Sequence, residues 1–399
     1  MIPGTMNWKI FNILFLAIFC STLGQGIVVP LLPQYAHELG ATSLLIGMIF
    51  GAFSLSRTAF LFYFARFSDR KGKKPVIAAG LFIYFIASIG FTLSRDVTSL
   101  IAVRFFQGVA AAMILPVAQA YAGEITPMNR EGFVMGLFNV SLYGGLSAGP
   151  ILGGIMMDLY GIQSAFISMG VVCLAGLGLC LGFLPPVSKE DTHKKNAEPV
   201  SFRILIRNRH VLNLFLFRFA HTICIGSVYS FAPLIAGKTL KLSSSSIGIM
   251  ITLCVLITAI IMTPMGMLAD RMSKRALLVI SGIIGAISMY TIAIVTAPWQ
   301  MYLATVLLGF GGGLAIPAIM SMTVVLGRME SSMSSMMSML AMSHSLGMII
   351  GPLLIGRLID VVDFRTAFIV AALIMVASTV ICLFLSSGFS ELERSADTA

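Results

Sequence analysis

Several ionisable side chains lie inside long apolar stretches of the sequence, where they could move a proton or meet a charged ligand. They are Arg57, Arg104, Arg218, His221 and His344. Burying such a group in lipid costs several kcal/mol, so each is a candidate functional residue. Histidine titrates near neutral pH, which makes the two histidines candidate proton carriers. Two structural explanations stay open: a lone buried histidine can simply be hydrogen-bonded, and Arg218 can snorkel to a nearby surface.

A second group of charges gathers in the short segment Asp69-Arg70-Lys71-Gly72-Lys73-Lys74. Membrane topology alone explains the lysines, because short cytoplasmic loops collect cations. It does not explain an acidic residue among them. A carboxylate at a helix end can instead bind the free N–H groups at the start of another helix. We therefore expect Asp69 to hold a helix end, with Arg70 and Arg130 in the same charge cluster.

The elements that position these residues must be membrane helices. Apolar residues make up 58% of the chain and charged residues 11%, against about a quarter charged in soluble domains. About twelve apolar stretches are near the ~20 residues that a spanning helix needs. They cover 9–33, 42–65, 75–94, 97–122, 131–157, 162–184, 209–236, 245–268, 276–296, 299–326, 333–357 and 364–387. The predicted fold is an all-α integral membrane protein with twelve transmembrane helices.

The two halves of the chain repeat the same residues at an offset of about 200 positions. The repeated elements are Asp69-Arg70 with Asp270-Arg271, Gly108 with Gly309, Pro116 with Pro317, Gly149-Pro150 with Gly351-Pro352, Asp158 with Asp360, and Ala165-Phe166 with Ala367-Phe368. Such duplication in an apolar chain is typical of secondary transporters, whose halves rock about a site between them. It predicts two six-helix bundles, residues 1–184 and 209–399, joined by a polar cytoplasmic linker, 185–208.

The placement of charge and cysteine excludes several other classes of protein. Lys and Arg are sparse on one predicted side of the membrane, at Arg95, Lys238, Lys241 and Arg365, so both termini are expected in the cytoplasm. Lipid headgroups explain the net charge of +10 without a nucleic-acid partner. The cysteines lie in apolar spans without a CxxC pair, so no disulfide framework, metal site or cofactor is expected.

Glycines at four-residue spacing mark one predicted span in each half. The fifth span contains Gly145, Gly149, Pro150, Gly153 and Gly154, and the eleventh contains Gly347, Gly351 and Pro352. Small residues at this spacing let two helix backbones approach closely, and proline permits a bend. Ordinary tight packing would explain such a motif. Its occurrence at equivalent places in both halves favours a moving interface.

These motifs resemble those of the major facilitator superfamily and, more narrowly, of its twelve-helix drug:proton antiporters. Residues 65–74 resemble the GxxxDRxGRK signature, with Ala65 in place of the first glycine, and the copy at 266–275 has Ser273 in place of the second. Residues 104–108 resemble the RxxQG element, and 23–33 resemble the LGxG…PxLP stretch. Residues 145–154 match the GxxxGPxxGG element associated with antiporters.

The resemblance implies roles for several of these residues. Asp69, Arg70, Gly72 and Arg130, with Asp270 and Arg271 in the second copy, would form gating clusters, and Asp69 would meet the start of the eleventh span at 331–334. Arg104 would take part in proton movement or hold the fourth span. Related antiporters often carry a carboxylate in the first span, but no Asp or Glu lies in the middle of any span here. Arg104, His221 and His344 are then the candidates for proton coupling.

In the fold of this family, the first, fourth, seventh and tenth spans line a central cavity. Candidate lining residues are Gln25, Arg57, Gln119, Asn139, Tyr143 and Tyr229. Each could instead bond a neighbouring helix. A largely apolar lining suits a hydrophobic or amphipathic small molecule better than a strongly anionic one.

The sequence therefore favours a monomeric exporter of such compounds in the cytoplasmic (inner) membrane, working by alternating access with proton antiport. One alternative is an uptake carrier or facilitator for a nutrient or for Cu(I), because the eleventh span is rich in methionine and contains His344. Adaptable packing explains the methionines equally well. Another is a non-transporting sensor on the same scaffold. An enzyme is not expected, since neither a catalytic constellation nor a P-loop is present.

Overall fold

The computed structural model describes residues 7–126, 131–185, 207–269, 273–329 and 333–385, and these segments are helical apart from short turns. The helices are α1 Trp8–Val28, α2 Leu32–Glu38, α3 Ser43–Lys71, α4 Lys73–Leu93, α5 Val97–Glu124, α6 Glu131–Tyr160, α7 Ile162–Phe183, α8 Arg209–Lys238, α9 Ser244–Ala269, α10 Lys274–Ala293, α11 Pro298–Met329, α12 Met333–Val361 and α13 Phe364–Leu385. Among the described residues, 12 helical spans are long and apolar enough to cross a membrane. The predicted all-α, twelve-span fold is confirmed.

The first span differs from its prediction, because two helices replace one. Helix α1 ends at Val28 and α2 starts at Leu32, with a turn between them. Pro30 has no backbone N–H to continue the helical bonding, and Pro33 lies in the first turn of α2, where proline is tolerated. The predicted stretch, 9–33, was therefore too short: the span runs from Trp8 to Glu38.

The chain forms two compact units. One contains Met1–Lys194 with Pro233–Thr252, and the other contains Lys195–Ala232 with Leu253–Ala399. Large buried side chains form their cores, among them Tyr84, Phe91 and Phe166 in the first unit and Phe217, Phe231 and Phe368 in the second. The first nine residues of α9 thus belong with the first unit. The predicted domain boundaries at 184 and 209 stay a prediction.

Helices α1 and α6 approach so closely that glycine is required between them. A Cβ atom built on Gly149 would lie 2.6 Å from the Cα atom of Gly26, a distance that real Cβ contacts do not reach. The Ser141 hydroxyl on α6 donates to the carbonyl of Phe15 on α1 at 2.5 Å. Small residues and an interhelical hydrogen bond are the usual means of joining helices in lipid, where no hydrophobic force drives them together.

The second unit repeats this contact between α8 and α12. A Cβ atom on Gly351 would lie 2.7 Å from the carbonyl oxygen of Ile223. The Ser343 hydroxyl donates to the carbonyl of Phe215 at 2.7 Å. The glycine and serine that join α6 to α1 therefore have equivalents at the corresponding positions of α12.

The six cysteines all lie in described helices, and each is a free thiol. Cys173, Cys180, Cys224, Cys254 and Cys382 are buried, and Cys20 is half-buried.

Replacing Gly149 by alanine is expected to separate α1 from α6. The added methyl group meets backbone atoms, which cannot rotate away, so about 1–3 kcal/mol of stability should be lost. The midpoint of thermal unfolding in detergent should fall by about 3 °C or more. Gly136→Ala, on the same helix with open space around it, is the matched control and should leave the midpoint within a degree or two or raise it. Equal midpoints for the two variants would contradict the packing described here.

Candidate functional site

A buried lysine organises the charges at the junction of α3 and α4. The side chain of Lys73 is 4% exposed, and its Nζ lies 2.5 Å from Glu124 Oε1 and 3.4 Å from Asp69 Oδ1. Gly72 between the helices has φ +94°, a conformation that side chains with a Cβ rarely adopt. The sharp turn at this glycine brings the start of α4 back toward the end of α5, where Glu124 lies. Lys73 is therefore an internal ion-pair partner, a role that membrane topology alone does not explain.

The predicted gating cluster is only partly within the described residues. Asp69 is 59% exposed and makes its described ion pair with Lys73, and Arg70 is exposed. Arg130, Asp270 and Arg271 lie outside the described residues, as do the side chains of 331–334. The contact between Asp69 and the start of the eleventh span stays a prediction.

Arg104 is enclosed by aromatic rings on α3. It is 2% exposed, and its guanidinium carbon lies 4.5 Å from the ring centroid of Phe53 and 5.1 Å from that of Phe50. Its Nη1 donates to Gln107 Oε1 at 2.7 Å. Cation–π contacts of this kind stabilise a desolvated cation by about 2 kcal/mol. These contacts fit a residue that holds α5 against α3, one of the two roles that the family resemblance implies.

Arg218 and His344 form a pair across α8 and α12 in the second unit. Arg218 Nη2 lies 3.2 Å from His344 Nδ1, and Thr222 Oγ1 lies 3.3 Å from the same nitrogen. A guanidinium group can only donate, so Nδ1 accepts, and the neutral imidazole carries its hydrogen on Nε2. Arg218 thus contacts a neighbouring helix within the span.

The Arg218–His344 pair lines a small pocket whose other walls are apolar. The pocket has a volume of about 170 Å³ and is completed by Ile316, Ile319, Met320, Met337, Leu340 and Ala341. We call this the Arg–His pocket. Helices α8, α11 and α12 all contribute to it.

The other histidine is in a different environment. His221 is 1% exposed, and both of its ring nitrogens are buried without a hydrogen-bond partner among the described residues. Protonation there would create a charge that no described acceptor stabilises. His221 and His344, which were equal candidates from sequence, therefore differ in hydrogen bonding: His344 has partners on α8, and His221 has none among the described residues.

The predicted cavity residues are not all in comparable positions. In the first unit Gln25, Arg57, Asn139 and Tyr143 are half-buried, whereas Gln119 is exposed. Tyr229 is half-buried and belongs to the second unit. Among them, Tyr143 and Tyr229 make further interactions. Their membership of one ligand cavity stays a prediction.

Sequence reasoning missed a helix cap within the first unit. Asp158, at the end of α6, accepts hydrogen bonds from Ser244 N at 3.0 Å and Ser245 N at 2.8 Å, at the start of α9. The Ser245 hydroxyl donates to the same carboxylate at 2.5 Å. A carboxylate at a helix N-terminus satisfies free N–H groups and interacts favourably with the helix dipole. The available signal was an acidic residue in the repeat together with the serine run that opens α9.

Duplicated helix-pair contacts, twelve apolar spans and ionisable residues inside those spans define a membrane transporter built from an internal repeat. The family model for the Major Facilitator Superfamily matches residues 14–243 and again 214–397. The chain belongs to this superfamily, as its motifs indicated.

Individual relatives support the same assignment. An uncharacterized MFS-type transporter, MJ1560, of Methanocaldococcus jannaschii is 27% identical over 95% of this chain and 98% of its own length. The multidrug resistance protein MdtG of Salmonella heidelberg is 25% identical over 92% of this chain and 93% of its own. A solved bacterial homologue of the human lysosomal transporter Spinster, in an inward-facing and occupied conformation, has a TM-score of 0.79 over 97% of this chain and 98% of its own. At 13% identity, this last match shows the fold alone.

Lys73→Met is expected to destabilise the junction of α3, α4 and α5, because Glu124 would lose its ion-pair partner. Removing one member of a fully buried pair costs about 3–5 kcal/mol. The side chain of Glu124 is 24% exposed, so a loss of about 1–3 kcal/mol is expected instead, measured as a lower midpoint of thermal unfolding.

Lys71→Met removes an exposed cation two residues away and is the matched control. The double variant Lys73→Met/Glu124→Gln should recover part of the loss, because no unpaired carboxylate remains. Additive losses in the double variant would show that the pair does not act as a unit.

Proposed function

We propose that the protein exports small hydrophobic or amphipathic compounds by alternating access, driven by proton antiport. The observation that carries this proposal is its similarity to a multidrug resistance protein over 92% of the chain. The Arg–His pocket agrees with it, because its apolar walls and single basic pair suit a molecule with an apolar body and a polar end. We also propose that the protein is a monomer in the cytoplasmic (inner) membrane with both termini in the cytoplasm, and the uneven distribution of Lys and Arg along the sequence is the argument for that orientation.

For the proton carrier, the contacts favour His344 over His221. His344 Nδ1 accepts a hydrogen bond from Arg218 only while that nitrogen is unprotonated. A proton there would end the bond and place two cations side by side, so it would change the arrangement of α8 and α12. His221 has no described partner to respond to a proton. Proton binding at His344 would therefore be linked to a structural change.

Transport of Cu(I) is less well supported. Met320, Met337 and His344 do line one pocket, and thioether and imidazole groups are soft ligands that suit this ion. The guanidinium group of Arg218, however, lies 3.2 Å from Nδ1 of the His344 imidazole. A fixed positive charge at that distance repels a cation. Uptake of organic compounds differs from export only in direction, which the following experiment measures.

The test is movement of amphipathic dyes in proteoliposomes containing the purified protein, with and without an imposed pH gradient. The panel contains a cationic, an uncharged and an anionic dye. We expect at least one to move against its concentration gradient, in the direction opposite to the protons, at a rate at least threefold above protein-free vesicles. If no dye in the panel moves under either condition, the proposal fails. Movement in the same direction as the protons would establish uptake instead.

His344→Gln is expected to make transport indifferent to the pH gradient while downhill movement of the dye continues. Glutamine keeps a side chain of similar size that can accept a bond from Arg218, but it does not titrate. His221→Gln is the matched control on α8 and should keep the dependence on the gradient. If only the His221 variant loses the dependence on the pH gradient, His221 and not His344 is the proton carrier.

A further inference from the structure

We propose that the Arg–His pocket binds the negatively charged head of an amphipathic anion, a carboxylate or phosphate attached to an apolar tail. This inference deepens the proposed function, because it names the chemical class of the transported compound. It does not depend on the direction of transport or on proton exchange. It departs from the expectation from sequence, in which a largely apolar lining suited a hydrophobic or amphipathic compound better than a strongly anionic one; the cation of Arg218 beside that lining is the reason.

The first argument is the charge of the pocket. Because Arg218 donates to a neutral His344, the pair carries one positive charge rather than two. A guanidinium group matches carboxylate and phosphate oxygens in shape and in hydrogen-bond donors. The neutral imidazole adds an N–H donor at Nε2. The pair thus combines a fixed cation with a neutral donor, which is a suitable set for an anionic head and an unsuitable one for a cationic head.

The second argument is the distribution of acidic residues along the sequence of this half. Within the bounds of helices α8 to α13 the only Asp or Glu is Asp360, near the end of α12, while Asp270, Glu330 and Asp363 lie in the sequence just beyond helix ends. Asp360 lies 16 positions from His344, which corresponds to about 24 Å along a helix. The lining residues themselves include no carboxylate. A ligand bound against these lining residues would therefore meet a cation and no carboxylate among them.

The third argument is the size and depth of the pocket. At about 170 Å³ it is smaller than the 300–1,000 Å³ typical of sites that enclose a drug-sized ligand. It can hold a head and a few carbon atoms. Arg218 lies nine residues into α8, about 14 Å along the helix. The six apolar side chains of the lining are placed to contact the start of a tail, and one of them, Met320, is 45% exposed.

An anionic substrate also has a simple energetic consequence. A membrane potential that is negative inside drives anions outward, so export of such a compound needs no carboxylate relay inside the spans. The absence of acidic residues from the middle of the spans is then compatible with export.

Binding of three probes with one dansyl-labelled undecyl tail tests the proposal: a carboxylate, its primary amide and its trimethylammonium analogue. Purified protein in nanodiscs of uncharged lipid is titrated with each, and affinity is measured by dansyl fluorescence. We expect the carboxylate to bind at least tenfold more tightly than the amide, and the ammonium analogue to bind more weakly than either. Equal or tighter binding of the ammonium analogue would overturn the proposal.

Variants locate the site. Arg218→Gln should weaken carboxylate binding at least tenfold and leave amide binding within twofold, whereas Arg218→Lys should retain most of the affinity because it keeps the charge. Arg357→Gln, an exposed arginine on α12, is the matched control and should bind like the unmodified protein. A folded Arg218→Gln protein with unchanged preference for the carboxylate would refute the assignment. If that variant does not fold, equal affinities of the unmodified protein for the carboxylate and for the amide overturn the proposal instead.

Nanodiscs containing anionic phospholipid distinguish the two sources of such a head. Competition by the lipid would identify bilayer lipid as an occupant, and its absence would identify soluble amphiphiles. Both results require an anion site. Binding is measured without transport, so the two proposals can fail separately. If the protein binds the carboxylate but moves no dye, the proposed export is wrong and the anion site is supported. Dye transport confined to cations would reject the site and keep the export.

Discussion

Close contact between two pairs of helices is the constraint on which the candidate site depends. A Cβ atom on Gly26 would lie 3.0 Å from Pro150, and one on Gly226 would lie 3.1 Å from Pro352. Because apolar surfaces gain little from one another in lipid, small residues and hydroxyl-to-carbonyl bonds must hold these helices together. The α8–α12 contact also fixes the Arg–His pocket, since His344 lies one turn before Gly347, whose missing side chain leaves room for Thr222.

The helices accommodate their buried cations in three chemically different ways. Lys73 has carboxylates, Arg104 has two aromatic rings and an amide, and Arg218 has a neutral imidazole. The first arrangement pairs the cation with an opposite charge. The second stabilises it through ring quadrupoles, which suits a residue that holds two helices together. The third places a cation in the lining of an apolar pocket, and this position makes Arg218 suited to meet a ligand.

Local patterns in the sequence were enough to predict the spans and the duplication, because hydrophobic length and repeated glycine motifs need no knowledge of distant contacts. The break after Val28 was also readable from Pro30 and Pro33, and was missed. Contacts between distant residues could not be predicted in the same way. Lys73 meets Glu124 across 51 positions, and Ser245 meets Asp158 across 87. Each pair lies at span ends, where many charges and hydroxyls are equally plausible partners.

The distribution of thiols makes the protein suited to site-directed labelling in its natural form. Five of the six cysteines are buried and the sixth is half-buried inside a helix, so a charged, membrane-impermeant maleimide would find little to modify. Cys173 also fills space beside Gly24, where a Cβ atom would lie 3.0 Å from its sulfur, so removing it would leave a gap in the packing. Spin labels or fluorophores can therefore be attached to introduced surface cysteines, and distances between the halves followed during a transport cycle, without first preparing a cysteine-free protein.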